Sequence, residues 1–249
     1  MIKGIYAAVS AMITGVNRQA LKSHNIANLD TPGFKQVLTT VQEFQQTAVT
    51  PNGVNTISSS RQSIGNLGLG SMTAETRTDF AGGALHITNQ PFGFAIQGDG
   101  FFRIMTTDGE RYTRDGRFIR DANEKLVTVD GNLVLDSAGK PIKIPDGQLE
   151  VDLNGGFLIN GELTTQLGVA EFANPENQLQ KSSGNLFEAL EAPISTISKS
   201  IIHHGYLEMS NVNMVDMMIS AKTYEAAQKI VQIQDGLLGK SINTLGKLA

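Results

Sequence analysis

Gly98-Asp99-Gly100-Phe101-Phe102-Arg103-Ile104-Met105-Thr106-Thr107-Asp108-Gly109-Glu110-Arg111-Tyr112-Thr113-Arg114-Asp115-Gly116-Arg117-Phe118 decides the fold of the middle of the chain. Gly98-Asp99-Gly100 resembles the opening of a nucleotide loop, but that loop needs a helix at its third glycine. Gly100 instead runs into Phe101-Phe102 and a strand pattern. Asp-Gly between apolar runs is a hairpin signal, because both residues tolerate the positive φ of tight turns. Five such pairs occur: Asp99-Gly100, Asp108-Gly109, Asp115-Gly116, Asp130-Gly131 and Asp146-Gly147. Runs at 101–105, 126–129, 133–135 and 149–153 are the predicted strands. Residues 83–183 are therefore expected to form an antiparallel, all-β domain.

Outward from it, both ends carry a different period. Residues 2–27 lack Pro, and Ile5, Val9, Met12 and Val16 fall on one helical stripe that continues through Ala20 and Ile26. Asp30-Thr31-Pro32-Gly33 stops that helix. At the other end Met217, Tyr224, Val231, Leu238 and Leu245 recur at seven-residue intervals, a coiled-coil spacing. Residues 35–82 are rich in Ser, Thr, Gln and Gly and read as an extended connector. The expected fold class is α+β: N- and C-terminal helices forming a coiled-coil-like bundle, with the antiparallel all-β domain inserted between them. The expected segments are an N-terminal helix at 1–34, the connector at 35–82, the β domain at 83–183, a return connector at 184–206 and a C-terminal helix at 207–249.

Composition narrows the function. The 249 residues include no Cys, which removes disulfides and thiolate chemistry. The net charge of −4 comes with scattered Lys and Arg, so no nucleic-acid footprint is expected. Thr14, Asn17, Arg18 and Gln19 interrupt the apolar N-terminus, which argues against a membrane span and against a cleaved secretory signal. His203 and His204 are adjacent, so their side chains diverge on a strand or a helix, and no metal is expected there. Turn chemistry accounts for the loop aspartates without calcium, since each sits beside its own glycine. Nothing nominates a catalytic pair. The chain reads as no enzyme, with no cofactor, no metal and no small-molecule substrate.

Four stretches carry a family resemblance. Ser23-His24-Asn25-Ile26-Ala27-Asn28-Leu29-Asp30-Thr31-Pro32-Gly33-Phe34-Lys35 resembles the Asn-Asn-Ile-Ala-Asn-x-x-Thr-x-Gly-Phe signature of flagellar rod and hook proteins, with His24 where the family usually has Asn. Phe94-Ala95-Ile96-Gln97-Gly98-Asp99-Gly100-Phe101-Phe102 is similar to the family's Ala-Ile-x-Gly-x-Gly-Phe-Phe, and Tyr112-Thr113-Arg114-Asp115-Gly116-Arg117-Phe118 to its Tyr-Thr-Arg-x-Gly-x-Phe. Leu207-Glu208-Met209-Ser210-Asn211-Val212-Asn213 and Tyr224-Glu225-Ala226 match its C-terminal pattern.

The resemblance implies a self-assembling structural subunit of the basal-body rod, the axial shaft needed for motility. Its partners would be copies of itself, other flagellar rod and hook-family proteins, and the flagellar type III export apparatus. Its place would be the basal body spanning the cell envelope, periplasmic in a Gram-negative cell. Chain length and Asn17-Arg18-Gln19-Ala20 favour a proximal rod protein over a distal one. The expected assembly interface is Ile5, Val9, Met12, Val16, Met217, Tyr224, Val231 and Leu238. Asn25, Asn28, Asn211 and Asn213 are expected to act locally, capping helix ends and shaping turns. Gly33 supplies a sharp exit and Phe34 a hydrophobic contact beyond it, and Gly98 and Gly100 belong to the β-domain motif. The alternatives are a coiled-coil oligomer displaying a ligand-binding β domain, as in a surface adhesin, and a hydrolase acting on cell-wall polymer.

Overall fold

The computed structural model describes residues 2–44, 46–49, 65–68, 70–145, 149–159, 161–194 and 200–213. Toward the C-terminus it describes residues 222, 225–226, 228–233, 235–236 and 239–240. The chain divides into two compact units. The first comprises Met1–His24, Val37–Arg77 and Asn213–Ala249; the second comprises Asn25–Gln36 and Thr78–Val212.

Helix α1 (Ile2–Ala27) begins in the first unit and ends in the second. It is followed by β1 (Val37–Glu43), β2 (Gln46–Val49), β3 (Gly65–Gly68) and β4 (Ser71–Thr78). Strand β1 pairs with β4, and β2 pairs antiparallel with β3, Gln46 lying opposite Gly68. Where the sequence predicts an extended connector, the described residues thus form two strand pairs. The Thr and Val of β1 fit a pleated, half-exposed surface, and pairing satisfies backbone groups that an isolated extended chain would leave to water.

The second unit holds β5 (Leu85–Ile87), β6 (Phe94–Gln97), β7 (Gly100–Thr106), β8 (Gly109–Thr113), β9 (Phe118–Arg120), β10 (Leu126–Thr128) and β11 (Leu133–Val134). It continues with β12 (Leu149–Val151), β13 (Gly156–Ile159), β14 (Glu162–Gln166), β15 (Val169–Glu171), a one-turn α2 (Pro175–Gln178), β16 (Leu179–Lys181), β17 (Leu186–Ala189), β18 (Ile201–His204) and β19 (Tyr206–Glu208). The main sheet runs β16-β17-β8-β7-β11-β10-β9, with β15 also on β7. A three-stranded sheet β12-β13-β14 and the pairs β18-β6 and β19-β5 complete the unit. Strands β17 and β18 lie where a return connector is expected, yet they pair with β8 and β6.

Strand β7 organises the core. Neighbouring side chains of a strand point to opposite faces, so Phe101 and Phe102 feed two different clusters. Phe102 packs with Phe94, Ile104, Phe118, Leu126 and Phe157. Phe101 packs with Tyr112, Phe172, Leu179 and Phe187. The Asp-Gly pairs divide by context. Asp108-Gly109 and Asp130-Gly131 turn the hairpins β7-β8 and β10-β11. Asp99-Gly100 and Asp115-Gly116 instead lead between strands that do not pair with each other. Asp146-Gly147 lies outside the described residues.

The expected α+β class with a bundle of terminal helices is corrected by this structure. The described residues are mostly antiparallel β, with one long helix at the N-terminus. No C-terminal helix pairs with it in a coiled-coil bundle among them. Toward the C-terminus the described residues, such as 228–233, are helical, and Ile230 and Ile233 there are exposed. Val9, Ile13 and Val16 of α1 are exposed as well. A heptad spacing states that an apolar stripe exists on a helix, but it does not state that the same chain provides the cover. No described helix is long and apolar enough to cross a membrane.

Candidate functional site

In the first unit, α1 presents its small polar side chains to β4. The Ser10 hydroxyl accepts the Ser71 N–H at 3.1 Å, and the Thr14 hydroxyl donates to the Ser71 carbonyl at 3.2 Å. Gly70 lies so close to Ser10 that a Cβ there would overlap the hydroxyl. The apolar row Tyr6, Val9, Ile13 and Val16, spaced three, four and three, is left in solvent at 67, 41, 58 and 51% exposure. This inverts the usual arrangement, in which the apolar stripe is buried and the polar face is wet. Of the interface residues expected from sequence, Val9 and Val16 lie on this row, and Met12 and Val231 are half-buried. The side chain of Ile5 and residues Met217, Tyr224 and Leu238 lie outside the described residues. Tyr6 and Ile13 were missing from the expected set. Their helical spacing with Val9 and Val16 was the available signal.

In the second unit the family motifs meet at a buried charge junction. Lys35, Glu208 and Arg114 are 1, 1 and 3% exposed. Lys35 Nζ donates to Glu208 Oε1 at 2.6 Å and to the Ala81 carbonyl at 2.8 Å. Arg114 Nη1 donates to Glu208 Oε2 at 3.1 Å, and Nη2 donates to the Gly98 carbonyl at 2.5 Å. The Gly83 N–H also donates to Glu208 Oε1, at 2.8 Å, and the Gly33 N–H to the Glu208 carbonyl at 2.7 Å. One carboxylate thus joins the exit of α1, the turn after β8, the segment before β5 and strand β19. Burial pushes the Lys35 ammonium below its ordinary range, while the neighbouring Glu208 opposes that shift. Charges removed from water this fully persist only when paired and hydrogen-bonded.

The remaining motif residues surround this junction. Phe34 is buried, and Lys181 Nζ sits 4.3 Å from its ring centroid, a cation–π contact. Asn185 Nδ2 donates to the Pro32 carbonyl at 3.1 Å. Gly98 holds φ +132 beside Ser200, and Gly100 opens β7 opposite Glu171. Asn25 is buried, and the Asn28 side chain accepts from the Thr31 hydroxyl at 3.5 Å within the turn that follows α1. Ile26 is half-buried on the last turn of α1, and Asn213 is exposed beyond β19. The bonds of Asn211 run to Gln36, Asp79 and Ala81, far away in sequence. Sequence reasoning quoted Lys35, Arg114 and Glu208 within the motifs without singling them out. Three charged residues embedded among motif glycines and phenylalanines were the missed signal.

His203 and His204 serve separate local bonds, His203 Nε2 with Gln97 Oε1 and His204 Nε2 with the Pro91 carbonyl, both at 2.8 Å. Tyr112 carries a titration consequence for stability. Burial, then the neighbouring Glu110 carboxylate, pushes its phenol up to about 12. The folded chain keeps that proton when the unfolded chain has lost it. Tyr112 therefore withdraws stability as pH rises from 10 to about 12, by on the order of 2 kcal/mol. Urea midpoints measured between pH 9 and 12 should fall less steeply for Tyr112→Phe than for the wild-type chain. Equal slopes would show that Tyr112 titrates alike in both states.

Comparison with known proteins follows the same geometry. Residues 5–35 match the family model described as flagella basal body rod protein, residues 95–168 match that of the flagellar hook protein FlgE/F/G D1 domain, and residues 203–245 match that of the flagellar basal body rod FlgEFG protein C-terminal. The chain is 30% identical to the flagellar basal-body rod protein FlgG of Bacillus subtilis, covering 98% of this chain and 99% of that one. It is 29% identical to the rod protein FlgF of Mesorhizobium japonicum over 99% of each chain, and 28% identical to FlgF of Escherichia coli over 97% of each. Lys35, Arg114 and Glu208 fall one in each of the three matched regions. With relatives matched end to end, the chain belongs to the flagellar basal-body rod protein family and is a structural subunit of the flagellar rod.

Proposed function

We propose that the subunit joins the rod through the exposed apolar row of α1, and that neighbouring copies or other rod and hook-family proteins cover it. The observation that carries this reading is the exposure of Tyr6, Val9, Ile13 and Val16 on one side of a helix whose Ser10 and Thr14 are already bonded to β4. An apolar row of this length in water is a standing association surface. The interface proposed from the sequence, Ile5, Val9, Met12, Val16, Met217, Tyr224, Val231 and Leu238, belongs to the same reading. In it the β unit is carried outside the contact and the subunit is of the proximal rod type. The flagellar export apparatus delivers the chain to a basal body that crosses the cell envelope.

A charge placed on the row tests it. Val16→Asp should abolish rod formation and swimming, because a buried unpaired carboxylate at an interface centre costs roughly 2 kcal/mol or more per contact. The urea midpoint of the β unit should stay at its wild-type value, since Val16 is no part of it. Swimming cells whose rods contain the Val16→Asp chain would refute the interface.

A further inference from the structure

Besides α1, three stretches of chain pass the border of the second unit close together. Gln36 is the last residue before the chain leaves for Val37, Thr78 marks its return, and Val212 precedes the final departure. Asn211 bonds to the first two from the third. Its Oδ1 accepts the Gln36 N–H at 2.8 Å, while its Nδ2 donates to the Asp79 carbonyl at 2.8 Å and the Ala81 carbonyl at 3.1 Å. Gln36 and Asp79 are also joined directly. The Asp79 N–H donates to the Gln36 carbonyl at 2.9 Å, and Gln36 Nε2 donates to Asp79 Oδ2 at 2.9 Å. The Ser210 hydroxyl adds a bond to the Leu29 carbonyl at 2.5 Å, just beyond the end of α1.

We propose that Asn211 is a positioning residue that locks these crossing segments in register, so that twist carried by the assembled rod passes through them without slippage. The residue type suits the task. A carboxamide offers an acceptor to one backbone N–H and two donors to backbone carbonyls at once, which neither Asp nor Ser can do. Its orientation is dictated by its partners, since the flipped amide would set oxygen against two carbonyls. Each crossing segment alone has two soft dihedrals per residue and resists twist weakly. Joined side to side by Asn211, the segments can deform only together. None of the residues that make these bonds belongs to either apolar cluster.

The inference rests on the chain acting as a rod subunit, and its test has one readout that does not. In purified full-length chain, Asn211→Ala should speed amide exchange at Gln36 by about tenfold or more. Asn211→Asp keeps the acceptor but loses both donors. It should leave Gln36 protected while setting a carboxylate oxygen against the Asp79 and Ala81 carbonyls, a repulsion that pushes this segment off Gln36 and so speeds exchange at the Asp79 N–H, which is bonded to the Gln36 carbonyl. Unchanged exchange at Gln36 in Asn211→Ala would overturn the lock whatever the rod does. In cells whose only copy is Asn211→Ala, swimming speed should fall at least about twofold more steeply with medium viscosity than in wild type. That load dependence would not arise from a lower amount of folded subunit. An unchanged load dependence, with exchange at Gln36 raised, would overturn the mechanical role.

Discussion

Glu208→Gln is expected to unfold the β unit at a markedly lower urea concentration than the wild-type chain, by a stability loss of about 3–5 kcal/mol. The substitution is nearly isosteric, so packing is not the cause. It leaves Lys35 and Arg114 buried without the carboxylate that both contact, whereas the wild-type junction holds that carboxylate between two cations. The comparison with Lys35→Met sharpens the argument. Removing Lys35 leaves Arg114 and Glu208 as a matched pair, with Gly83 still donating to the carboxylate. That variant should lose less than half as much. Chemical denaturation followed by tyrosine fluorescence is suitable because the chain has four Tyr and no Trp. If Lys35→Met proves as costly as Glu208→Gln, the Lys35 bond to Ala81, and not the charge balance, governs the junction.

Gly33→Ala should cost about 2–5 kcal/mol, the second large effect. Gly33 holds φ +69, where an L side chain is strained by roughly 1–2 kcal/mol. A Cβ there would also overlap the backbone of Arg114 and Asp115, which the buried bonds of the Arg114 side chain to Glu208 and the Gly98 carbonyl hold in place. Overpacking of this kind adds about 1–3 kcal/mol. Gly131 provides the control: its φ is +84, but a Cβ added there meets nothing within 4 Å. Gly131→Ala should therefore show the conformational cost alone. Thermal unfolding of both variants separates the two terms, and equal losses would mean that the overlap at Gly33 relaxes away.

Gly33 and Glu208 also mark how far the chain could be understood before its structure was known. The turn and strand code between residues 98 and 118 is local, and the β arrangement followed from it: residues alternate faces, and Asp-Gly tolerates tight turns. Strand partners were not legible, because hairpin signals concern neighbours in sequence. The pairings of β18 with β6 and β19 with β5 join segments far apart. The segment at 35–82 hid its strand pairs for a related reason. Its polar, β-branched composition suits both a solvated chain and exposed strands, and β1 and β4 needed each other to settle which.

The helical ends show the opposite limit. Period alone sufficed for α1, with its stop at Asp30-Thr31-Pro32-Gly33, because helix formation and termination depend on residues within a turn or two. The inference that the two ends cover one another failed, because a stripe carries no address for its partner. The family motifs announced kinship from the sequence, yet their individual roles waited for three dimensions. Lys35, Arg114 and Glu208 lie 79 and 94 residues apart in succession, and Asn211 reaches back 175 residues to Gln36. Short-range sterics and periodicity wrote the elements into the chain. Long-range packing alone brought three charges together out of water and determined which backbone groups one asparagine would join.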